Sequence, residues 1–226
     1  MRLVLLPGLD GTGALFASFT AAAPPDVTLT VVPLPDRLGD YAALAAAVTG
    51  TVALDSDTVL IAESFAGPLA MRLARQQAPA AVVLVNSFIR APLPAAACRL
   101  VPAALFAMPM PDVVVRHWLL GPAASRALVG AFHTALARVP ARVLAARVRA
   151  LASLDAAADA RQLTCPLLYL RGTADRLVRE RSVRELQATA PATRVARVPG
   201  PHLLLQAAPQ LAWAALAPYL EHWAAV

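Results

Sequence analysis

Thr58-Val59-Leu60-Ile61-Ala62-Glu63-Ser64-Phe65-Ala66-Gly67 is the stretch on which the fold is decided. From Thr58 to Ala62 it is a continuous β-branched and aliphatic run of strand length. A strand covered on both faces reads this way, whereas a half-exposed strand alternates. Ser64 interrupts the run, and residues 65–77 turn helical, ending before Pro79. Strand, serine and helix in that order lay out a nucleophile elbow, whose strained turn needs small residues two positions either side of the serine. Those positions hold Ala62 and Ala66, with Gly67 next, a looser match than the glycine-flanked form. A serine at a helix start is also a common N-cap, so this stretch alone leaves both readings open.

Working outward, five more continuous apolar runs predict strands: Arg2–Leu6, Thr28–Val32, Ala81–Val85, Leu167–Arg171 and Thr193–Val198. Helical segments are predicted at 41–53, after Asp40 as N-cap, and at 180–189 and 209–224. Strands alternating with helices imply an α/β fold with a mostly parallel sheet, helices on both faces and right-handed crossovers. The rhythm breaks between Phe88 and Gln162. No strand candidate occurs there, and prolines at 92, 94, 102, 109, 111, 122 and 140 divide the segment into short helices. The expected organisation is a core of residues 1–87 and 163–226, with residues 88–162 inserted as a helical cap over the C-terminal ends of the strands.

In open α/β sheets, active sites gather at those strand ends. The loop after the first strand reads Pro7-Gly8-Leu9-Asp10-Gly11-Thr12-Gly13. It lacks the lysine of a P-loop and the glycine spacing of a dinucleotide site, so it is read as a loop whose backbone N–H groups face inward. Asp10 is expected to brace it, and Glu63 is expected to be structural. Asp175 follows the fifth strand, where an N-cap or an ion pair with Arg176 or Arg179 is the plainer alternative. His202 follows the last strand within Pro199-Gly200-Pro201-His202-Leu203. Each residue alone is weak. Together Ser64, Asp175 and His202 stand in the chain order of α/β-hydrolase triads, each just past a strand. His117, His133 and His222 are assigned no role.

Pro7–Gly13, Ala62–Gly67, Arg171–Val178 and Gly200–Leu205 together resemble the α/β-hydrolase-fold serine esterases, and within them a bacterial subgroup of small esterases and thioesterases. The likeness covers nearly the whole chain. It departs at Pro7, where a histidine usually precedes the oxyanion glycine, at the two elbow alanines, and in opening on the strand that is usually third. The resemblance implies a sheet of about six strands and carboxylic ester hydrolysis through an acyl-enzyme. Ser64 is then the nucleophile, His202 the base and Asp175 the residue orienting it. The backbone N–H groups of Leu9 and Phe65 form the oxyanion hole, each such donor worth about 3–4 kcal/mol in the transition state. Neither metal nor organic cofactor is implied.

Charge distribution bears on the substrate. The 226-residue chain carries a formal net charge of +6, and all 20 basic residues are arginine. Residues 90–150 hold eight arginines against one acid, Asp112, a net +7; the remainder, with 12 arginines and 13 acids, is −1. Arg138, Arg142, Arg147 and Arg149 fall near helical spacing, so some of them are expected to share a face of the cap and to serve as carrier-binding residues on its outside. Arginines there suit an acidic carrier, and this resembles the esterases that hydrolyse the methyl ester of pimeloyl-acyl carrier protein in biotin synthesis, whose cap binds its carrier through arginines. A small acyl ester, free or linked to acyl carrier protein, is therefore the expected substrate. An acyl thioesterase or acyltransferase using the same triad, and a non-catalytic binding protein on the same scaffold, are the alternatives. Nucleic acid is a poor fit, because the basic residues lie in an apolar, proline-broken segment with few aromatics. The short apolar start, broken by Pro7-Gly8, does not read as a signal peptide. No apolar run reads as a membrane span, and Cys98 and Cys165 read as idle thiols. The expected location is the cytoplasm.

Overall fold

Six strands form at the six apolar runs: β1 (Arg2–Leu6), β2 (Thr28–Val31), β3 (Thr58–Glu63), β4 (Ala81–Val85), β5 (Leu167–Gly172) and β6 (Arg194–Val198). They make one parallel sheet in the order β2-β1-β3-β4-β5-β6. The structure is a computed structural model in which residues 1–224 are described. Helix α1 (Ala17–Ala21) precedes β2, α2 (Tyr41–Thr49) precedes β3 and α3 (Ala66–Gln77) precedes β4. Between β4 and β5 lie α4 (Ala95–Leu100), α5 (Asp112–Val115), α6 (Arg126–Ala137), α7 (Ala141–Ala150) and α8 (Ala157–Arg161). Helix α9 (Glu180–Thr189) joins β5 to β6, and α10 (Leu204–Ala207) and α11 (Pro209–Ala224) follow. The Asp40 carboxylate caps α2 by accepting the Ala43 N–H at 2.8 Å. That helix stops at Gly50, short of the expected residue 53.

Alternate side chains of the inner strands feed two separate cores. Val4, Leu6, Leu60, Ala62, Val82, Leu84 and Tyr169 point to one face, where α2, α3, α8 and α9 cover them. Leu3, Leu5, Val59, Ile61, Val83, Val85, Leu168 and Leu170 point to the other, beneath α1, α10 and α11. Burial on both faces is the reason these runs are continuously apolar. Each such aliphatic side chain removed from water contributes about 1.5–3 kcal/mol, so the strand ends are rigid mounts. The two outer strands are half-exposed instead, with Thr28, Thr30, Arg194 and Arg197 in solvent.

Strand order reverses at β1. Its connection to β2 runs one way across the sheet, and β3 lies on its other side. The loops after β1 and β3 therefore flank the crevice where ligands of such sheets bind. They carry Leu9 and Ser64. The long β4–β5 connection is closed at its base by an isolated antiparallel bridge between Arg90 and Asp155, reinforced by the Arg90 guanidinium on Asp155 and Glu185. Its small apolar clusters, around Val115, Phe132 and Leu144, take in Leu15 and Leu203 and pack against Leu9 from the loops after β1 and β6. Its last helix, α8, packs instead on α3 and α9 in the layer over the sheet. Among the described residues no helix is long and apolar enough to cross a membrane.

Candidate active site

Ser64 occupies the left-handed backbone region, at φ +51°. A non-glycine residue there costs roughly 1–2 kcal/mol, so the turn must be held from outside. The Ser64 N–H donates to Val85 O at 2.9 Å. Its carbonyl accepts from Ser87 Oγ at 2.7 Å and from the Gly67 N–H at 3.1 Å. Tyr41 Oη donates to the next carbonyl, Phe65 O, at 2.9 Å. A Cβ on Gly67 would come within 1.8 Å of Ser87 Oγ. The strict glycine requirement of this elbow therefore falls at 67, while alanines are accommodated, fully buried, at 62 and 66.

The loops after β5 and β6 bring the other two residues to Ser64. His202 Nε2 lies 2.9 Å from Ser64 Oγ, and His202 Nδ1 lies 2.9 Å from Asp175 Oδ2. All three side chains are buried, His202 to 2% exposure. Asp175 Oδ1 accepts the N–H groups of Leu177 and Val178 at 2.8 and 2.9 Å. One carboxylate oxygen thus fixes the loop and leaves the other for the imidazole. The expected alternative of an ion pair with Arg176 or Arg179 does not form. The buried Arg171 takes that place, with Nη1 3.4 Å from Asp175 Oδ2 and Nε 3.5 Å from Glu180.

Residues absent from the sequence reading hold this arrangement together. Asn86, at the end of β4, donates through Nδ2 to Pro201 O and His202 O at 3.0 and 2.7 Å, and its Oδ1 accepts the Gly172 N–H at 2.7 Å. One side chain therefore ties the acid loop to the histidine loop. Ser87, beside it, supports the elbow. The available signal was the polar pair Asn86-Ser87 at the C-terminal end of an apolar strand. Glu63, just before Ser64, is buried, and burial raises its carboxyl to about 8. Its Oε2 accepts from Gln206 Nε2 at 2.8 Å, while its Oε1 and Gln206 Oε1 lack partners.

The loop after β1 brings Leu9 beside Ser64, and among the described residues neither the Leu9 N–H nor the Phe65 N–H is engaged in a hydrogen bond. Asp10 braces the loop as expected, accepting from Thr12 N and Thr12 Oγ1. Arg147 overturns an expectation. It does not stand on an outer face of the cap with Arg138, Arg142 and Arg149; it is fully buried. From α7 its guanidinium reaches down to the carbonyls of Leu9, Asp10, Pro35 and Leu38 at 2.8–3.2 Å. The physical reason is the loop itself, whose turned-out carbonyls need donors. Gly11, at φ +70°, leaves the room, since a Cβ there would lie 2.4 Å from Arg147 Nη1. Arg138 and Arg142 are exposed, and the exposed Arg149 bonds Val101 O.

Above Ser64 opens a cavity of about 380 Å³, roofed by the β4–β5 segment. Phe88, Phe106, Met110, Trp118 and Phe132 are among its walls, and its polar side chains are Asp10, Ser64 and His202. Among the described residues no arginine lines it. A buried hydroxyl–imidazole–carboxylate relay facing an apolar pocket has the parts that acyl transfer to serine requires.

The chain belongs to the α/β-hydrolase family described as serine aminopeptidase, S33, whose family model matches residues 30–202. It is thus a hydrolase by family. No curated protein matches its sequence. Among solved structures it is similar to an enol-lactonase from Burkholderia xenovorans LB400, with 17% identity, a TM-score of 0.76, and coverage of 100% of this chain and 91% of that one. A carboxylesterase structure from the thaumarchaeon Nitrososphaera gargenis gives 13% identity, a TM-score of 0.79, and coverage of 99% and 90%. A hydrolase from Pseudomonas aeruginosa PA01 gives 18%, 0.79, and coverage of 97% and 89%. At these identities the shared property is the fold.

Proposed function

We propose that this protein is a serine hydrolase that cleaves carboxylic esters of apolar acyl groups, with Ser64 as nucleophile, His202 as general base and acid, and Asp175 as orienting carboxylate. The observation that carries the reading is the continuous relay from Ser64 Oγ to His202 to Asp175, both contacts 2.9 Å, at the floor of an apolar cavity. His202 Nε2 takes the Ser64 proton as Oγ attacks the acyl carbon. The N–H groups of Leu9 and Phe65 receive the developing oxyanion, at a few kcal/mol per donor. Collapse passes the proton from Nε2 to the departing alcohol, leaving an acyl-enzyme. Water, deprotonated by His202, then attacks the acyl carbon and releases the acid and free Ser64.

The apolar cavity favours the acyl group over a charged substrate, and the esterase and lactonase chemistry named for the fold neighbours is compatible with it. Residues 88–162, apart from α8, act as the cap. The finer reading of a substrate linked to acyl carrier protein, such as the pimeloyl methyl ester of biotin synthesis, loses Arg147 and rests on Arg138, Arg142 and Arg149 alone. Thioester cleavage or transfer to an alcohol uses the same atoms; product analysis with competing acceptors separates them. The test is hydrolysis of a p-nitrophenyl ester series. Cleavage that rises with acyl length and vanishes in Ser64→Ala is expected. Turnover that survives Ser64→Ala rules the assignment out.

A further inference from the structure

Large apolar side chains left in solvent are concentrated in one part of the chain. Leu93, Leu100, Leu105, Met108, Val113 and Trp118 are exposed to between 40% at Trp118 and 78% at Leu100. Among the described residues outside 93–118, only Met1 and Leu211 share this property. Scattered exposed apolar residues are ordinary, but a concentration marks an interaction surface.

The same segment forms the inner wall of the cavity, through Leu93, Phe106, Met110, Val114 and Trp118. Sequence neighbours therefore divide between inside and outside: Phe106 and Val114 line the cavity, Leu105 and Val113 face water. Leu93 and Trp118 do both, which places them at the rim. The segment is bordered by arginines. Arg99 is exposed beside Leu100, and α4 and the turn at 103–106 pack on α7, which carries the exposed Arg142 and Arg149. Arg138 is exposed at the end of α6. The only acid between residues 90 and 150 is Asp112, and His133 Nε2 engages it at 2.9 Å.

We propose that this face of the cap docks on an anionic phospholipid surface. Leu100, Leu105, Met108 and Val113 enter the boundary between headgroups and acyl chains, Trp118 lies at the interface, and Arg99, Arg138, Arg142 and Arg149 face the lipid phosphates. Apolar insertion combined with basic residues is the physical basis of peripheral membrane attachment, and tryptophan favours that depth. The apolar side chains protrude from α4, from α5 and from the irregular chain between and after them. A fluid phase accommodates such a surface, whereas a rigid acidic protein would need a matching shape. The docked orientation turns the cavity mouth toward the lipid, so an apolar ester reaches Ser64 without crossing water. That last step rests on the proposed esterase reading; the docking itself does not.

The test is co-sedimentation of the intact protein with vesicles of phosphatidylcholine mixed with phosphatidylglycerol, and with vesicles of phosphatidylcholine alone. Binding to the anionic vesicles that weakens about tenfold or more on neutral vesicles, and again at high salt, is expected. The triple variant Leu105→Ser, Met108→Ser, Val113→Ser should lose about tenfold in vesicle binding while cleaving a short, water-soluble ester at the parent rate. No binding to anionic vesicles overturns the proposal, as does equal binding by the triple variant. So does retention on an immobilised acidic acyl carrier protein without vesicle binding. An inactive protein that still binds anionic vesicles leaves the docking intact and sinks only the esterase reading.

Discussion

The site has a floor and a roof, built by different rules. The floor is four loops hung from β1, β3, β5 and β6, and the side chains beneath them are almost all fully buried. The roof, between β4 and β5, is a series of short helices and turns around small clusters shared with Leu9, Leu15 and Leu203 of the floor loops, with large apolar side chains facing water. The floor fixes Ser64, His202 and Asp175 to within hydrogen-bond distance. The roof shapes the apolar cavity above them. The difference teaches that the relay and the cavity above it are held by different parts of the chain, and Arg147, reaching from α7 to the Leu9 loop, is a polar stitch between them.

The most drastic way to test that division is to remove the nucleophile. Ser64→Ala should cut kcat by about 10⁴-fold or more with the fold unchanged; equal melting temperatures alongside the kinetics check this. Asn86→Ala comes next. It strips three hydrogen bonds that join the acid and histidine loops. Stability should fall by about 1–3 kcal/mol, with kcat falling more than KM rises, as denaturant titration and steady-state kinetics would show.

Breaking the stitch should affect both halves. Arg147→Met leaves the carbonyls of Leu9, Asp10, Pro35 and Leu38 without their donor. A loss of about 1–3 kcal/mol in stability and a lower kcat are expected, with partial recovery in Arg147→Lys. An unchanged kcat would mean that the roof does not set the Leu9 loop. A change confined to the roof should act on choice of substrate alone. Phe106→Ala enlarges the cavity and should move the preferred acyl chain to greater length in a p-nitrophenyl ester series, leaving kcat for short esters near the parent value.

A separate test, of stability rather than of turnover, concerns Glu63. Its folded carboxyl is raised to about 8 from an ordinary 4.5 by burial. Its contribution to stability is complete below about pH 4.5 and is lost as pH rises through about 8, because the unfolded chain ionises first. Glu63→Gln keeps the shape and the bond to Gln206 without that loss. Its melting temperature relative to the parent should therefore climb across this window. Parallel curves would show Glu63 to be ionised in the fold.

The floor was legible from sequence because its determinants are local. Continuous apolar runs gave all six strands within a residue or two, and Ser64, Asp175 and His202 each follow one of them. The loose elbow was legible but unexplained, since the reason glycine is needed at 67 is Ser87, a residue distant in sequence. Asn86 was missed because its three partners lie on loops that only the folded sheet brings near. Arg147 was misplaced for a related reason. Helical spacing gives the angle of a side chain about its axis, not what lies against that face. The four arginines near α7 are alike in spacing, and only the Leu9 loop beneath Arg147 sets it apart.

The central claim, that Ser64 forms an acyl-enzyme under the control of His202, is tested most directly by acid-quenching the protein during turnover of a slowly hydrolysed apolar ester and locating the added mass by peptide mapping. An acyl adduct on the Ser64 peptide, absent in Ser64→Ala and strongly slowed in His202→Ala, is the expected result. Continued hydrolysis with no adduct on Ser64, or with the adduct on another residue, would contradict it.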